Sequence, residues 1–149
     1  MPCGTRGTAL LRAGQLAECV ASRACMGEVG SGIMSPMEPV KDTITRARLA
    51  ELAASGFGDL IKAVVDIERR VMVVGGELHS DEEQWLLDDG SRQSGLWGIN
   101  LYPAESSPDW IEFDSMINVR PAQGNPSRSV EDPQTQALIR AIVAELVPE

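Results

Sequence analysis

Apolar and polar positions alternate with helical or strand-like spacing along the chain, and the changes of spacing predict seven elements within residues 38–149. Helical spacing in TRARLAELAASGFG predicts a first helix over about 45–55. Gly56 is its expected stop in the left-handed conformation. The residues expected to face inward are Leu49, Leu52 and Ala53.

A strand pair and a short acidic helix follow. LIKAVVDI (60–67) and VMVVGGEL (71–78) are rich in β-branched residues, and the short ERR between them predicts a hairpin. In HSDEEQWLLDDGS, Ser80 and Glu83 have the spacing of a capping box, so a helix is expected from Ser80 to the breaker Gly90.

The last part of the chain predicts two more strands and a helix. LWGINLYP (96–103) is the third strand, and DWIEFDSMINVRP (109–121) has the two-residue period of a fourth. Asp132 caps a last helix with Pro133 at its first position. Its expected apolar stripe is Leu138, Ile139, Ile142, Val143 and Leu146. The α-β-β-α-β-β-α order predicts a single small α+β domain, with a mainly antiparallel sheet and helices on one face.

Polar residues alternate with the apolar ones in the third and fourth predicted strands. The set expected to face away from the core is Asn100, Tyr102, Glu112, Asp114, Asn118 and Arg120. This surface is either an ordinary solvated sheet face or a ligand groove. The two asparagines favour a groove, because Asn is a poor strand former.

The loop RPAQGN (120–125) follows the predicted fourth strand. An arginine beside a glycine-containing turn can hold an anion through its guanidinium and free backbone N–H groups. Alternatively, Arg120 pairs with a carboxylate such as Asp114. The candidate ligand-binding residues are therefore Asn100, Tyr102, Asn118, Arg120, Gln123 and Asn125.

GGELHSD contains the only histidine of the chain. On an extended segment Glu77, His79 and Asp81 project to one side, as catalytic candidates in an acid–base pair or as a weak metal face. Alternatively, His79 is only the residue before the helix cap. One histidine without cysteine makes a poor zinc site, so no metal or other cofactor is expected. No serine, including Ser115, lies in a recognised nucleophile motif.

Charge and cysteine separate residues 1–37 from the rest. From residue 38 onward, ten Lys or Arg stand against twenty Asp or Glu, which argues against a nucleic-acid partner. All three cysteines, Cys3, Cys19 and Cys25, lie in the first segment and match no zinc spacing. We expect residues 1–37 to be a disordered or weakly helical extension, with Met34 and Met37 as alternative start codons. The absence of an apolar run of membrane length favours a cytoplasmic protein.

Several motifs resemble those of a bacterial and archaeal family of small proteins known only as a domain of unknown function. The motifs are VDIE, GGELHSD, LLDDGSRQ, LWGINLYP, WIEF and INVRPAQGN, and the likeness covers about residues 45–147. The resemblance implies no activity. Its pattern includes Glu77, His79, Asp81, Asp89, Trp97, Asn100, Tyr102, Asn118, Arg120, Gln123 and Asn125.

Three functions fit the sequence. The first is a non-enzymatic module that binds a small molecule or a protein through the polar sheet face and RPAQGN. The second is a hydrolase-like enzyme that uses His79 with Glu77 or Asp81, with or without a metal, and Arg120 for an anionic substrate. The third is an acidic regulatory or antitoxin-like partner of a basic protein. A homodimer is compatible with each, and we favour the first.

Overall fold

A computed structural model of the chain describes residues 37–148, and the predictions for residues 1–36 lie outside this range. The described strands are β1 (Glu38–Val40), β2 (Ile61–Asp66), β3 (Val71–Val74), β4 (Leu96–Leu101) and β5 (Ile111–Glu112). The described helices are α1 (Arg46–Ala54), α2 (His79–Asp88) and α3 (Pro133–Leu146). None of the helices in residues 37–148 has the length and apolar content required to cross a membrane.

The five strands form one antiparallel sheet in the order β1-β3-β2-β4-β5. The predicted α+β class and the β2–β3 hairpin are confirmed. The predicted element order is wrong at its start, because β1 precedes α1 and pairs with β3. The sequence did not predict β1 because this strand is short and contains Pro39, although proline is compatible with an edge strand.

Helices cover both faces of the sheet, so the prediction of helices on one face is wrong. We call the face that contains Ala63, Met72 and Ile99 the front face, and α1 and α3 pack against it. The back face contains Val64 and Val73, and Leu86 of α2 packs there. Because side chains alternate along each strand, β3 is buried on both faces and is entirely apolar, and β2 is buried at every position except Lys62.

Local capping signals place α1 and α3 as predicted. Thr45 accepts a hydrogen bond from the backbone N of Arg48 at 3.0 Å, and Asp132 accepts one from Thr135 at 2.9 Å. The predicted inward residues of α1 are buried, as is most of the α3 stripe. The left-handed glycine after α1 is Gly58, at φ 106°, and not Gly56 as predicted.

The predicted start of α2 is wrong by one residue. The helix begins at His79, and Leu78 is its N-cap without a side-chain capping bond. The Ser80–Glu83 capping box is not formed. Instead Glu82 is fully buried, and its Oε2 accepts a hydrogen bond from the backbone N of Gly76 at 2.7 Å. A Cβ on Gly76 would lie 2.8 Å from Glu82 Cγ, so this glycine makes room for the buried carboxyl.

The predicted fourth strand is much shorter than expected. Only Ile111–Glu112 pairs with β4, and a 3₁₀ turn follows at Met116–Asn118. Ser115 caps this turn by accepting a hydrogen bond from the backbone N of Ile117 at 3.2 Å. The two-residue alternation ends there, so Met116 is 65% exposed and Asn118 is fully buried. The local hydrogen bond of Ser115 to backbone competes with strand pairing. This competition explains why the apolar period did not predict the end of β5.

Candidate functional site

Side chains complete the edge of β4 where β5 ends. Alternate residues of a strand present their backbone groups to the same edge. Asn100 pairs with Glu112 of β5, and the next position on that edge is Gly98. The Asn118 side chain accepts from the N of Gly98 at 2.8 Å and donates to its O at 3.0 Å. The Asn118 side chain thus makes the two hydrogen bonds that a neighbouring strand would make to Gly98.

Arg120 binds the carbonyl of Leu96, which is the next backbone group along this edge of β4. Its guanidinium donates to the carbonyls of Leu96 and of Ile117 and lies 4.6 Å from the centre of the Trp97 ring. Burial lowers the pKa of Arg120 from its usual value. The arginine therefore holds backbone and an aromatic ring, and the alternative pairing with Asp114 is not formed: Asp114 instead binds Arg128 at 2.6 Å.

The RPAQGN loop is also held by a second side chain that binds backbone carbonyls. Asn125 is 4% exposed, and its Nδ2 donates to the carbonyls of Asn118 and Ser129, each at 2.7 Å. Gln123 is exposed on the surface of this loop. Two of the predicted ligand-binding residues of the loop, Arg120 and Asn125, thus have their side-chain bonds directed at backbone.

A pocket of about 240 Å³ lies on the back face of the sheet, beside the start of α2. We call it the His79 pocket. Its lining residues are Lys62, Leu78, His79, Ser80, Asn100, Asp114, Ser115, Met116, Ile117 and Arg128. The lining combines strands β2 and β4, the first turn of α2, the segment after β5 and a residue of the following loop. His79 and Asn100 are the predicted site residues that the structure brings together here.

The His79 side chain that lines the pocket is a neutral imidazole. Its Nε2 lies 2.8 Å from the carbonyl oxygen of Ile99, which can only accept, so Nε2 carries the proton. Burial lowers the pKa of His79 from 6.5 to about 4, and the bond to Ile99 opposes this shift only in part. Nδ1 is consequently a lone-pair acceptor at neutral pH. It has no hydrogen-bond partner among residues 37–148.

Close packing of His79 depends on Gly98. A Cβ on Gly98 would lie 2.5 Å from Ser115 Oγ and 3.2 Å from His79 Cδ2. Ser115 is 1% exposed and therefore has little freedom to move away. The glycine of LWGIN thus lets the imidazole and the serine lie directly on β4.

Asn100 and Tyr102 share one carboxylate. Asn100 Nδ2 donates to Glu112 Oε1 at 2.9 Å, and the Tyr102 hydroxyl donates to the same oxygen at 3.1 Å. Burial, followed by this bond to Glu112, raises the pKa of Tyr102. The bond from Nδ2 fixes the Asn100 amide, whose Oδ1 is buried without a partner. Tyr102 is half-buried beside the pocket and does not line it.

The charged groups of the pocket carry an excess of one positive charge. Arg128 and Asp114 neutralise each other across 2.6 Å. Within residues 37–148, the Lys62 ammonium has neither a carboxylate partner nor a hydrogen bond, and it lies 5.0 Å from the centre of the Phe57 ring. A cation without a carboxylate partner makes this pocket a local positive site in a chain of formal charge −9.

Glu77 and Asp81 are not brought to His79. The expectation that all three share one side fails, because α2 begins at His79 and the strand-like period ends there. Both acids are exposed and absent from the pocket lining. No cluster of three or more His, Cys, Asp or Glu suited to a metal exists in the part of the chain that the structure describes.

Lys62 and Arg128 were not among the residues predicted from the sequence, and Ser115 had no predicted role. A lysine within the apolar run LIKAVVDI was a usable signal, since it implies that one face of that strand reaches a polar space. Arg128 and Ser115 gave no such signal, because their positions depend on the path of the chain after β5.

Comparison with known proteins places the domain in a family and gives no further relative. No curated protein matches the chain, and no solved structure matches it. Residues 38–146 match the model of one protein family. This match spans most of the chain and nearly all of the part that the structure describes. The chain therefore belongs to the family described as protein of unknown function (DUF5674).

Proposed function

We propose that this domain is a binding module for a small molecule, which occupies the His79 pocket. The supporting observation is that three polar groups without hydrogen-bond partners among residues 37–148 belong to residues lining one concavity. They are the Lys62 ammonium, His79 Nδ1 and Asn100 Oδ1. Of these, Asn100 Oδ1 is buried, and buried polar groups are normally paired. The other two groups belong to residues that line the same concavity, and a few convergent polar groups in a concave site are typical of a ligand site.

This proposal moves the ligand from the RPAQGN loop to the start of α2. Asn100 remains a ligand-binding candidate. The bonds of Asn118, Arg120 and Asn125 hold the segments after β5, which include the pocket wall at Met116 and Ile117. These residues support the wall, and their side chains do not line the pocket.

Binding fits the pocket better than hydrolysis does. Ser115 uses its oxygen to cap a turn and has no hydrogen bond to His79 within the described residues. The His79 nitrogen that carries the proton is bound to a backbone carbonyl, and neither Glu77 nor Asp81 orients the ring. Residues placed in this way can supply contacts and charge without an activated nucleophile.

The test is a fragment screen observed through His79, which is the only histidine of the chain. Fragments of mixed charge would be added to the full-length protein, and the ring ¹H–¹³C resonances would be followed by NMR. We expect some fragments to shift them saturably. Ser80→Tyr should abolish these shifts, because Ser80 is an exposed lining residue. A complete absence of shifts would contradict the proposal.

Gln84→Tyr provides the matched control on α2. Gln84 is exposed, lies one turn after Ser80 and is not a lining residue. The variant should bind the same fragments with unchanged affinity. Equal loss of binding in both variants would mean that the fragments bind elsewhere or that added tyrosine disturbs the helix.

A further inference from the structure

We propose that the ligand of the His79 pocket is a monocarboxylate with a short apolar tail. This inference rests on the proposed function and names the chemical class of the ligand. Three features carry it: an unpaired cation with an orienting acceptor, uncapped backbone N–H groups at the same place, and exposed apolar side chains at the rim.

Lys62 is the expected partner of the carboxylate. Lys62 and Asn100 are register partners on β2 and β4, so their Cβ atoms are separated by roughly 5 Å. Asn100 is 7% exposed, and its Oδ1 lacks a donor within the described chain. That oxygen can accept from the ammonium and orient it, while the remaining N–H groups of Lys62 bind the ligand. Asn100 is therefore a positioning residue for Lys62.

The start of α2 adds backbone donors on the other side of the pocket. Leu78 gives no side-chain cap, and the N–H groups of His79 and Ser80 have no acceptor among residues 37–148. Free N–H groups at a helix start favour an anion. Asn100 and Lys62 supply the independent evidence that the charge belongs here.

Apolar side chains at the rim indicate the second half of the ligand. The exposed large apolar residues of the described chain are Phe57, Leu78, Met116 and Val119. Two of them, Leu78 and Met116, line the pocket, and Phe57 lies beside the Lys62 ammonium. Grouped apolar exposure around a polar site is typical of a ligand-binding surface. An acyl or aryl tail would cover these side chains.

Charge and volume narrow the class further. The lining contributes two cations and one carboxylate around a neutral imidazole, which balances one negative charge. A phosphate dianion would leave a charge uncompensated. The volume of about 240 Å³ is below the range of roughly 300–1,000 Å³ that is common for drug-sized ligands, so the tail is short.

A matched ligand series tests the proposal on the full-length protein. Hexanoate, hexanamide, hexylamine and acetate would be titrated at pH 7.5, with the His79 ring resonances and calorimetry as readouts. We expect hexanoate to bind at the pocket. Acetate should bind at least about tenfold more weakly, because it lacks the methylene groups that hexanoate would bury. The neutral amide and the amine should bind at least about tenfold more weakly too, because neither carries a negative charge for Lys62.

Variants at position 62 test the role of the ammonium. Lys62→Met keeps an apolar stem beside Phe57 and should weaken hexanoate binding about tenfold or more. Lys62→Arg retains the charge and should recover most of the affinity. Lys41→Met is the matched control, since Lys41 pairs with Asp89 outside the pocket. Its hexanoate affinity should equal that of the unmodified protein.

Three outcomes would overturn the carboxylate assignment. Equal binding of hexanamide or hexylamine at the pocket would overturn it and leave the binding module intact. Unchanged hexanoate affinity in folded Lys62→Met would do the same. If no member of the series moves the His79 resonances while other fragments do, the ligand class is wrong; if no fragment does, the proposed function fails as well.

Discussion

The Asn118 side chain pairs with backbone at the point where β5 has ended. It bonds both the N and the O of Gly98 and also donates to the carbonyl of Arg128 at 3.0 Å. All three backbone groups contact the Asn118 side chain, and Asn118 is fully buried. The N and O of Gly98 therefore depend on one amide group, whereas the Arg128 carbonyl also accepts from the backbone N of Ser115 at 3.1 Å.

Asn118→Ala should be strongly destabilising. Each buried backbone group left without a partner costs about 1–3 kcal/mol, and the variant leaves the N and O of Gly98 unpaired, so the free energy of unfolding should fall by about 2 kcal/mol or more. Urea denaturation followed by tryptophan fluorescence would measure it. Gln123→Ala, an exposed residue of the adjacent loop, should change it by less than about 0.5 kcal/mol. Similar small changes in both variants would contradict the assigned role of Asn118.

Residue types alone could not reveal this role. The sequence singled out Asn100 and Asn118 because asparagine is unusual in a strand, and both do lie at special positions. The predicted direction of Asn118 is wrong, since the apolar period placed it outward. Its partners are twenty residues away in β4 and ten residues away in a loop, and local alternation carries no information about them.

At the level of elements, the turn from β3 into α2 contains a buried acid. Glu82 is enclosed against Gly76, and its Oε1 has no partner among the described residues. Burial raises the pKa of Glu82 well above its usual value, more than the bond from Gly76 lowers it. A raised folded-state pKa gives stability that is complete below the unfolded-state pKa and is lost as the pH rises through the folded-state value.

Glu82→Gln should therefore increase stability at alkaline pH. The amide resembles a protonated carboxyl in shape and never ionises, so the variant should unfold at higher denaturant concentration than the unmodified protein at pH 8. The difference should shrink as the pH falls toward 5. Denaturation series at several pH values would show it. Asp81→Asn, at the exposed neighbouring position, should not reproduce this pattern.

Capping explains which elements sequence analysis predicted well. Thr45 and Asp132 lie three residues before the N–H groups that they bind, so a short window of sequence contains the whole signal. The start of α2 was predicted one residue late because a plausible capping box competed with Glu82. The bond of Glu82 to Gly76 reaches back beyond the helix, and its burial depends on the sheet below.

For the whole molecule, His79 links stability to acid pH. Burial lowers its folded-state pKa to about 4, against 6.5 for the ordinary side chain. The unfolded chain then binds the extra proton between these values. Stability is complete above about pH 6.5 and falls as the pH drops toward 4. The charged residues that act on the ring are Lys62, Asp114 and Arg128.

His79→Gln should remove this part of the acid sensitivity. From pH 7.5 to pH 4, the unmodified protein should lose roughly 3 kcal/mol relative to the variant, from a shift of this size at 1.36 kcal/mol per pKa unit. Both proteins contain Glu82, so its opposite pH dependence cancels in the comparison. Parallel stability profiles for the two proteins would contradict the buried, neutral state of His79.

The fold class was predictable because β2 and β3 are short apolar runs rich in β-branched residues and the apolar period of α3 is regular over most of its length. The layering of the whole domain was not. Val64 and Val73 continue the apolar runs of their strands toward the back face, and nothing local shows which helix covers that side. The His79 pocket forms where this second layer begins, so it could not be assembled from motifs alone.

The edge strand β1 has a consequence for proteolysis and self-association. Its three residues cover the outer edge of β3, and Arg48 holds Glu38 at its start. The next residue after β1 is Lys41, a half-exposed site for a trypsin-like protease. Cleavage there, followed by dissociation of β1, would leave the apolar strand Val71–Val74 with open backbone groups. Such an edge is a template for strand addition by a second copy, so loss of β1 after one cut at the surface would favour self-association.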